Sequence, residues 1–291
     1  MQQVQRLTVI GVGLIGGSFA LKLKQLGLVN EVVGCGRNST NLNKALELGV
    51  IDIAYTDPTL AVAGADLVVL AVPLGSIAPI YQQIAPFLAP DAVVTDVGSA
   101  KASVIAEIAG LLGECPGQFV PGHPIAGREQ SGVEAADSEL YQGHRVILTP
   151  LSHTNEAAIA WVHALWQAVG AQVSSMSATY HDEVFAATSH LPHLLAFALV
   201  DMLNEHPELG NVFQYTAGGF RDFTRIASSD ACMWRDIALQ NHSAILKWLD
   251  AYQAELAKLA ELLQTQNGAA LQQLFATAKA ARDAHIVNRT S

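Results

Sequence analysis

Over roughly the first 177 residues, short apolar runs alternate with longer stretches of helical periodicity. The runs Leu7–Ile10, Glu31–Cys35, Leu67–Val72, Ala92–Asp96, Phe119–Pro121 and Arg145–Thr149, with a further one at Gln172–Met176, predict strands. Segments Ser39–Leu48, Ile77–Phe87 and Ala100–Leu112 predict helices between them. Such alternation implies an α/β domain, a mainly parallel sheet with helices on both faces, whose ligands lie beyond the carboxyl ends of the strands.

After about Ala178 the pattern changes. Strand signals stop and long Ala, Leu and Gln-rich stretches take over, so residues 178–291 read as a separate, all-helical domain behind a sheet domain at 1–177. Within it Ile245, Leu249, Tyr252, Leu256, Leu259 and Leu263 fall at alternating steps of four and three, the seam of a helix lying along another helix. That partner is either a helix of the same chain or a second copy, and a homodimer through the helical domain is the expectation. The polar end from Arg282 to Ser291 reads as a frayed tail.

The sheet domain opens on Gly11-Val12-Gly13-Leu14-Ile15-Gly16, with a strand before it and a helix expected over Gly17–Leu26. In this context Gly11 permits a tight turn, Gly13 a close approach of backbone to a pyrophosphate, and Gly16 close packing of helix on strand. The phosphates would lie on the helix N-terminus, near Leu14 and Ile15. This is a Rossmann-type dinucleotide site, and the strand ends at Val72-Pro73 and Asp96 fall along the same crevice. The second strand bears on the choice of cofactor. NAD-binding units place an acid there to hold the ribose 2′-hydroxyl. This chain has Gly36 instead, followed by Arg37, Asn38, Ser39 and Thr40. Gly36, Arg37, Ser39 and Thr40 therefore favour NADP, and NAD stays open because the preference rests on few contacts.

Composition narrows the partners. With 26 acidic residues against 16 Lys and Arg, a net charge of −10 excludes nucleic acid as a target, and an anionic substrate needs a local cluster of cations. The three cysteines Cys35, Cys115 and Cys232 lack metal or redox spacing, read as structural, and fit a reducing cytoplasm. No metal site is expected. The uncharged stretches Leu7–Leu21 and Leu67–Pro90 are better read as glycine loop and strand-loop-helix than as signal or membrane segments.

Four further segments occur in order. They are Thr95-Asp96-Val97-Gly98-Ser99-Ala100-Lys101; Gly122-His123-Pro124-Ile125-Ala126-Gly127; His181-Asp182-Glu183 with Ser189-His190-Leu191-Pro192-His193; and Gly218-Gly219-Phe220-Arg221-Asp222-Phe223-Thr224-Arg225-Ile226-Ala227. Across essentially the whole chain they resemble the prephenate/arogenate (cyclohexadienyl) dehydrogenases of tyrosine biosynthesis.

That resemblance implies an oxidative decarboxylation that ends in an aromatic ring. His123 would take the proton of the C4 hydroxyl, which suits an imidazole with an unperturbed pKa of about 6.5, and Ser99 would touch the same hydroxyl and steady His123. Arg225 would grip the ring carboxylate. Arg221 is either a second cation or a partner of Asp222. His193 and Ser189 would bind substrate, whereas His181 and His190 could equally stabilise helices or a domain interface. Asp182 would stand at the mouth of the site or act as a helix N-terminal charge. Trp234 would be a pocket wall or a core aromatic. After the central motif, Glu129 could meet the ammonium of arogenate and Arg128 the keto-acid end of prephenate. Inhibition by tyrosine stays open, its likeness to the product being the one reason to expect it.

Lys101 lies in the first domain, where an ion pair or helix start suits it better than the catalytic role a lysine plays in β-hydroxyacid dehydrogenases. Two other readings share the fold. A β-hydroxyacid or imine reductase would not need His123-Pro124 or the Ser189–His193 segment, and an NADP-sensing regulator would bind cofactor without turnover.

Overall fold

The structure, a computed structural model, describes residues 2–128 and 130–285, apart from the side chain of Leu209. Strands β1 (Val4–Ile10), β2 (Val29–Cys35), β3 (Ile53–Tyr55), β4 (Leu67–Leu70), β5 (Val93–Asp96) and β6 (Phe119–Val120) form a six-stranded sheet in the order β3-β2-β1-β4-β5-β6. All its pairings are parallel. The chain reverses its direction of travel across the sheet between β1 and β4, which opens a crevice at their carboxyl ends.

The strands are apolar at consecutive positions because both faces are covered. Leu7, Val9, Val32, Leu67 and Val69 enter one core. Ile10, Val33, Cys35, Val68, Leu70 and Val94 enter the other. Helices α1 (Leu14–Gln25), α2 (Ser39–Glu47), α3 (Pro58–Ala61), α4 (Ile77–Ile84) and α5 (Ala102–Leu112) connect the strands. Phe19 and Leu23 of α1 pack in the first core, and Ile77, Tyr81, Val104 and Ile108 of α4 and α5 in the second.

Two strands escaped the sequence pattern. β3 has three half-buried residues, too few for a period. β7 (Gly122–Ile125) contains Gly and Pro, residues that disfavour strands, and Pro124 is tolerated because β7 is an edge. It belongs to a second sheet, β7-β8-β9, with β8 (Arg145–Leu148) antiparallel to β7 and parallel to β9 (Gln172–Ser175). Helix α6 (Glu156–Ala168) joins β8 to β9. The single sheet expected for this domain is thus two. The first helix also starts at Leu14 and not at Gly17, so half of the glycine motif is helical.

Among the described residues no strand follows β9. The helices are α7 (Ala178–Phe185), α8 (Leu191–Asn204), α9 (Gly218–Thr224), α10 (Ala231–Gln240), α11 (His242–Gln264) and α12 (Gly268–His285). A π turn at Ala186–His190 links α7 to α8 without a break. Pro192 cannot donate to a carbonyl four residues back, and the turn before it widens accordingly. The run Ala178–Asn204 has the length and composition of a membrane span, yet His181, Asp182 and His190 are buried along it. Each is hydrogen-bonded to another part of the fold.

Contacts group the described residues as far as His242 into one compact unit and those from Ser243 into a second. In the second unit Tyr252, Leu256 and Leu263, members of the expected seam on α11, are exposed. Helix α12 continues to His285, so the tail expected to fray from Arg282 is helical for four more residues. Residues 286–291 lie outside the described residues. Cys35 and Cys115 are buried in the core, whereas Cys232 is exposed and has no packing role.

Candidate active site

The glycine loop is built as its sequence requires. Gly11 has φ of +98°, and a Cβ there would overlap the carbonyl oxygen of Ala71. At Gly16 a Cβ would lie 2.6 Å from Val9 Cγ1, so the residue sets how closely α1 packs on β1. Gly13 precedes α1, and a Cβ there would meet nothing within 4 Å, which leaves its face open to a ligand. The first-turn N–H groups of Leu14, Ile15 and Gly16 have no helical acceptor and suit a pyrophosphate. The Leu14 side chain itself is buried in the core, so only its backbone can serve the site.

At the end of β2, a cleft of about 350 Å³ is lined by Gly11, Gly36, Arg37, Val72 and Pro73. Thr56, Pro58, Ser76 and Gln83 also line it, residues the sequence reading missed because they lie after β3 and β4 in a loop, a short turn and helices that carry no motif. Ser39 and Thr40 are exposed on the first turn of α2, and Thr40 lines a separate polar hollow with Asn38 and Lys44. Asn41 Nδ2 donates to the Val12 carbonyl at 2.7 Å and so ties α2 to the glycine loop.

Asp96, expected along the cofactor crevice, has its carboxylate turned into the protein. It is fully buried and forms an ion pair with Lys101, which is also fully buried. The same carboxylate accepts from the N–H of Gly98 at 2.8 Å and of Gly122 at 3.1 Å, and Lys101 Nζ donates to the Gly122 carbonyl at 3.0 Å. Burial pushes the Lys101 pKa down, and Asp96 pushes it back up. The pair thus clamps the peptide on the N-terminal side of His123, at the carboxyl end of β5.

His123 lies within β7, opposite Ile147 of β8, and not in a loop after a strand. Its Nδ1 is 2.8 Å from Nε2 of His181, and His181 Nδ1 is 2.7 Å from Asp182 Oδ1. Nε2 of His123 has no hydrogen bond to any described residue. Burial, followed by the nearby His181, Lys101 and His190, holds the His123 pKa well below the usual imidazole range. Ser99 is half-buried beyond β5 and makes no hydrogen bond to His123 among the described residues, so the group that steadies this ring is His181.

Asp182 is likewise buried and not at a mouth. Its two oxygens accept from the N–H groups of Lys101 and Ala102, both at 2.8 Å, so it does act as an N-terminal charge, but on α5 and not on its own helix. His190 is buried, and its Nδ1 lies 3.1 Å from Asn241 Nδ2. Burial lowers the His190 pKa to about 4.

His193 and Ser189 share one helical turn. His193 Nδ1 donates to the Ser189 carbonyl at 2.8 Å, and its ring stacks on Trp234 with centroids 3.7 Å apart. Trp234 is 7% exposed and belongs to the second core, and one of its faces carries the His193 ring. Burial lowers the His193 pKa, and the charge of Arg225 acts in the same direction, which puts Arg225 in the neighbourhood of this ring. Arg225 itself is exposed, just after α9, and Arg221 is exposed on α9. Arg128 forms an ion pair with Asp137. Glu129 lies outside the described residues.

A doubly wound parallel sheet with an open glycine loop, and a half-buried histidine on the edge strand β7 just beyond the sheet's carboxyl ends, defines a dinucleotide-dependent dehydrogenase. Residues 19–175 match the family model described as prephenate dehydrogenase, nucleotide-binding domain, and residues 177–277 the prephenate dehydrogenase dimerization domain. Cyclohexadienyl dehydrogenase of Zymomonas mobilis is 38% identical over 285 residues, covering 97% of this chain and 96% of the relative. A solved structure of A. aeolicus prephenate dehydrogenase, in complex with hydroxyphenyl propionate and NAD+, is 39% identical with a TM-score of 0.89, covering 96% of this chain and 97% of that one. Synechocystis arogenate dehydrogenase is 28% identical with a TM-score of 0.81, covering 97% and 100%. The chain belongs to the prephenate dehydrogenase family. It catalyses the oxidative decarboxylation of prephenate or arogenate, or both, with hydride transfer to a nicotinamide cofactor, in tyrosine biosynthesis.

Proposed function

We propose that His123 is the base of this reaction, that both prephenate and arogenate are accepted, and that NADP is the preferred cofactor. Residues 1–177 would hold the cofactor, and residues 178–291 would bind substrate and form a homodimer. The observation that supports His123 is its geometry: Nδ1 is occupied by His181 while Nε2 bears no bond to the described residues. The open glycine loop and the cleft at Gly36 and Arg37 fit a dinucleotide. When bound, its nicotinamide ring supplies the acceptor for the hydride from ring C4.

His123 Nε2 takes the proton of the C4 hydroxyl, and the ring carboxylate leaves as CO2 as the ring becomes aromatic. Ser99 contacts the same hydroxyl. Arg225 holds a substrate carboxylate, with Arg221 as a second cation, because an acidic protein must concentrate positive charge to bind a dianion. His193 and Ser189 contact the remainder of the substrate, and Trp234 forms a wall beneath His193. Glu129 would meet the ammonium of arogenate.

Replacing His123 by Asn keeps a polar side chain but removes the base. kcat should fall by about 10²-fold or more, with cofactor affinity nearly unchanged. An unaltered kcat would remove His123 from the chemistry. Steady-state rates with prephenate and arogenate, each with NAD and NADP, decide the substrate and cofactor preferences.

A further inference from the structure

The side chains of Asp182, His181 and His123 form a continuous chain of hydrogen bonds that runs from the N-terminus of α5, through α7, to β7. Its far end is fixed by backbone. Asp182 accepts from the N–H groups of Lys101 and Ala102 at 2.8 Å, and its own carbonyl accepts from Asn241 Nδ2 at 2.8 Å. A carboxylate is an acceptor only, so the 2.7 Å contact to His181 requires a proton on His181 Nδ1.

The protonation of the next link follows. His181 is fully buried, and burial, the largest influence on its pKa, pushes it down, so the ring is neutral at pH 7. With Nδ1 protonated, its Nε2 is a lone pair. The 2.8 Å contact then requires His123 to donate from Nδ1. A neutral His123 that donates from Nδ1 has its lone pair on Nε2. Phe185 packs against both rings, with centroids 4.9 Å from His123 and 4.5 Å from His181, and so fixes their planes.

We propose that His181 and Asp182 are positioning residues for the reaction: they hold His123 in the Nδ1–H tautomer and aim its Nε2 lone pair at the substrate hydroxyl. This rests on the reading of His123 as the base. Isolated imidazole favours the opposite tautomer, with the proton on Nε2, which could not accept a proton from the hydroxyl at that atom. The relay corrects this without contacting the substrate. When Nε2 takes the proton, the Nδ1–H bond to His181 persists, and the carboxylate behind His181 stabilises the cation that forms.

Nitrogen NMR of the labelled full-length protein reads the tautomer directly, with His123→Asn used to assign the His123 signals. The expected result at neutral pH is a protonated Nδ1 and an unprotonated Nε2 on His123, and the reverse overturns the proposal. His181→Phe keeps an aromatic ring against Phe185 but removes the acceptor. It should lower kcat by about 10²-fold or more while changing KM for substrate and cofactor less than about threefold. His181→Gln supplies an amide oxygen in place of the imidazole lone pair and should recover about tenfold of that loss. A His181→Phe enzyme with wild-type kcat overturns the relay, as does one whose His123 keeps the Nδ1–H tautomer. The spectrum does not depend on turnover, so a normal kcat in His123→Asn would sink the base assignment alone and leave the tautomer to be judged by its own signals.

Discussion

Gly36 shows how much a single absent side chain can decide. Its N–H is held by the Tyr55 carbonyl at 3.2 Å, and a Cβ there would meet only the Leu42 side chain, at 3.7 Å, an ordinary contact. The backbone there therefore accepts a Cβ without a clash. Gly36→Asp should shift the kcat/KM ratio toward NAD by about tenfold or more, about 1.4 kcal/mol, by adding a ribose contact and repelling a 2′-phosphate. A wild-type enzyme already faster with NAD would show that Arg37 does not read that phosphate. The glycine residues were legible because each answers a backbone constraint written locally: the positive φ at Gly11 and the clash a side chain would make at Gly16. The roles of Asp96 and Asp182 were not legible. Their partners lie on other elements, and only proximity in space shows that one clamps Lys101 and the other caps α5.

Among the elements, α11 has the clearest unmet requirement. Tyr252, Leu256 and Leu263 are 39%, 46% and 64% exposed, and covering each large apolar side chain is worth roughly 1.5 to 3 kcal/mol at full burial. The family model matched over this region is described as a dimerization domain. Leu256→Glu should weaken a two-fold contact made by this stripe, seen in sedimentation as a dimer dissociating at higher concentration than wild type. A wild-type monomer at micromolar concentration would defeat the idea. The stripe was visible in the sequence because it is periodic. β7 was not, since Gly122 and Pro124 disfavour a strand within a run of only four residues, and the run is held as one by its pairing with β8.

At the scale of the molecule, the buried histidines set a pH dependence. Burial is the first cause of the lowered pKa values of His123, His181 and His190, the last to about 4. In the unfolded chain each would titrate near 6.5. Above that pH both states are neutral and stability is complete. As pH falls below about 6.5, the unfolded state takes up protons that the folded state refuses, so stability declines, and for His190 the decline continues to about pH 4. His190 alone would contribute on the order of 3 kcal/mol over that window. The urea midpoint should therefore drop between pH 7.5 and pH 5, before most carboxylates titrate. A midpoint that stays level or rises over that range would contradict the neutral state of these rings.

The sequence by itself determined the α/β character, the dinucleotide loop, the helical C-terminal part and the family to which the chain belongs. These depend on short-range periodicity, on backbone constraints and on motifs contiguous along the chain. Tertiary structure decided what each polar residue does. His181 touches His123 across 58 positions and Asp182 meets Lys101 across 81, distances over which no local pattern operates. The split into two sheets, the buried pair under Gly122 and the direction in which His123 presents its lone pair all follow from such long-range contacts. A buried polar group must find a partner, and which partner it finds is settled only when the chain has folded.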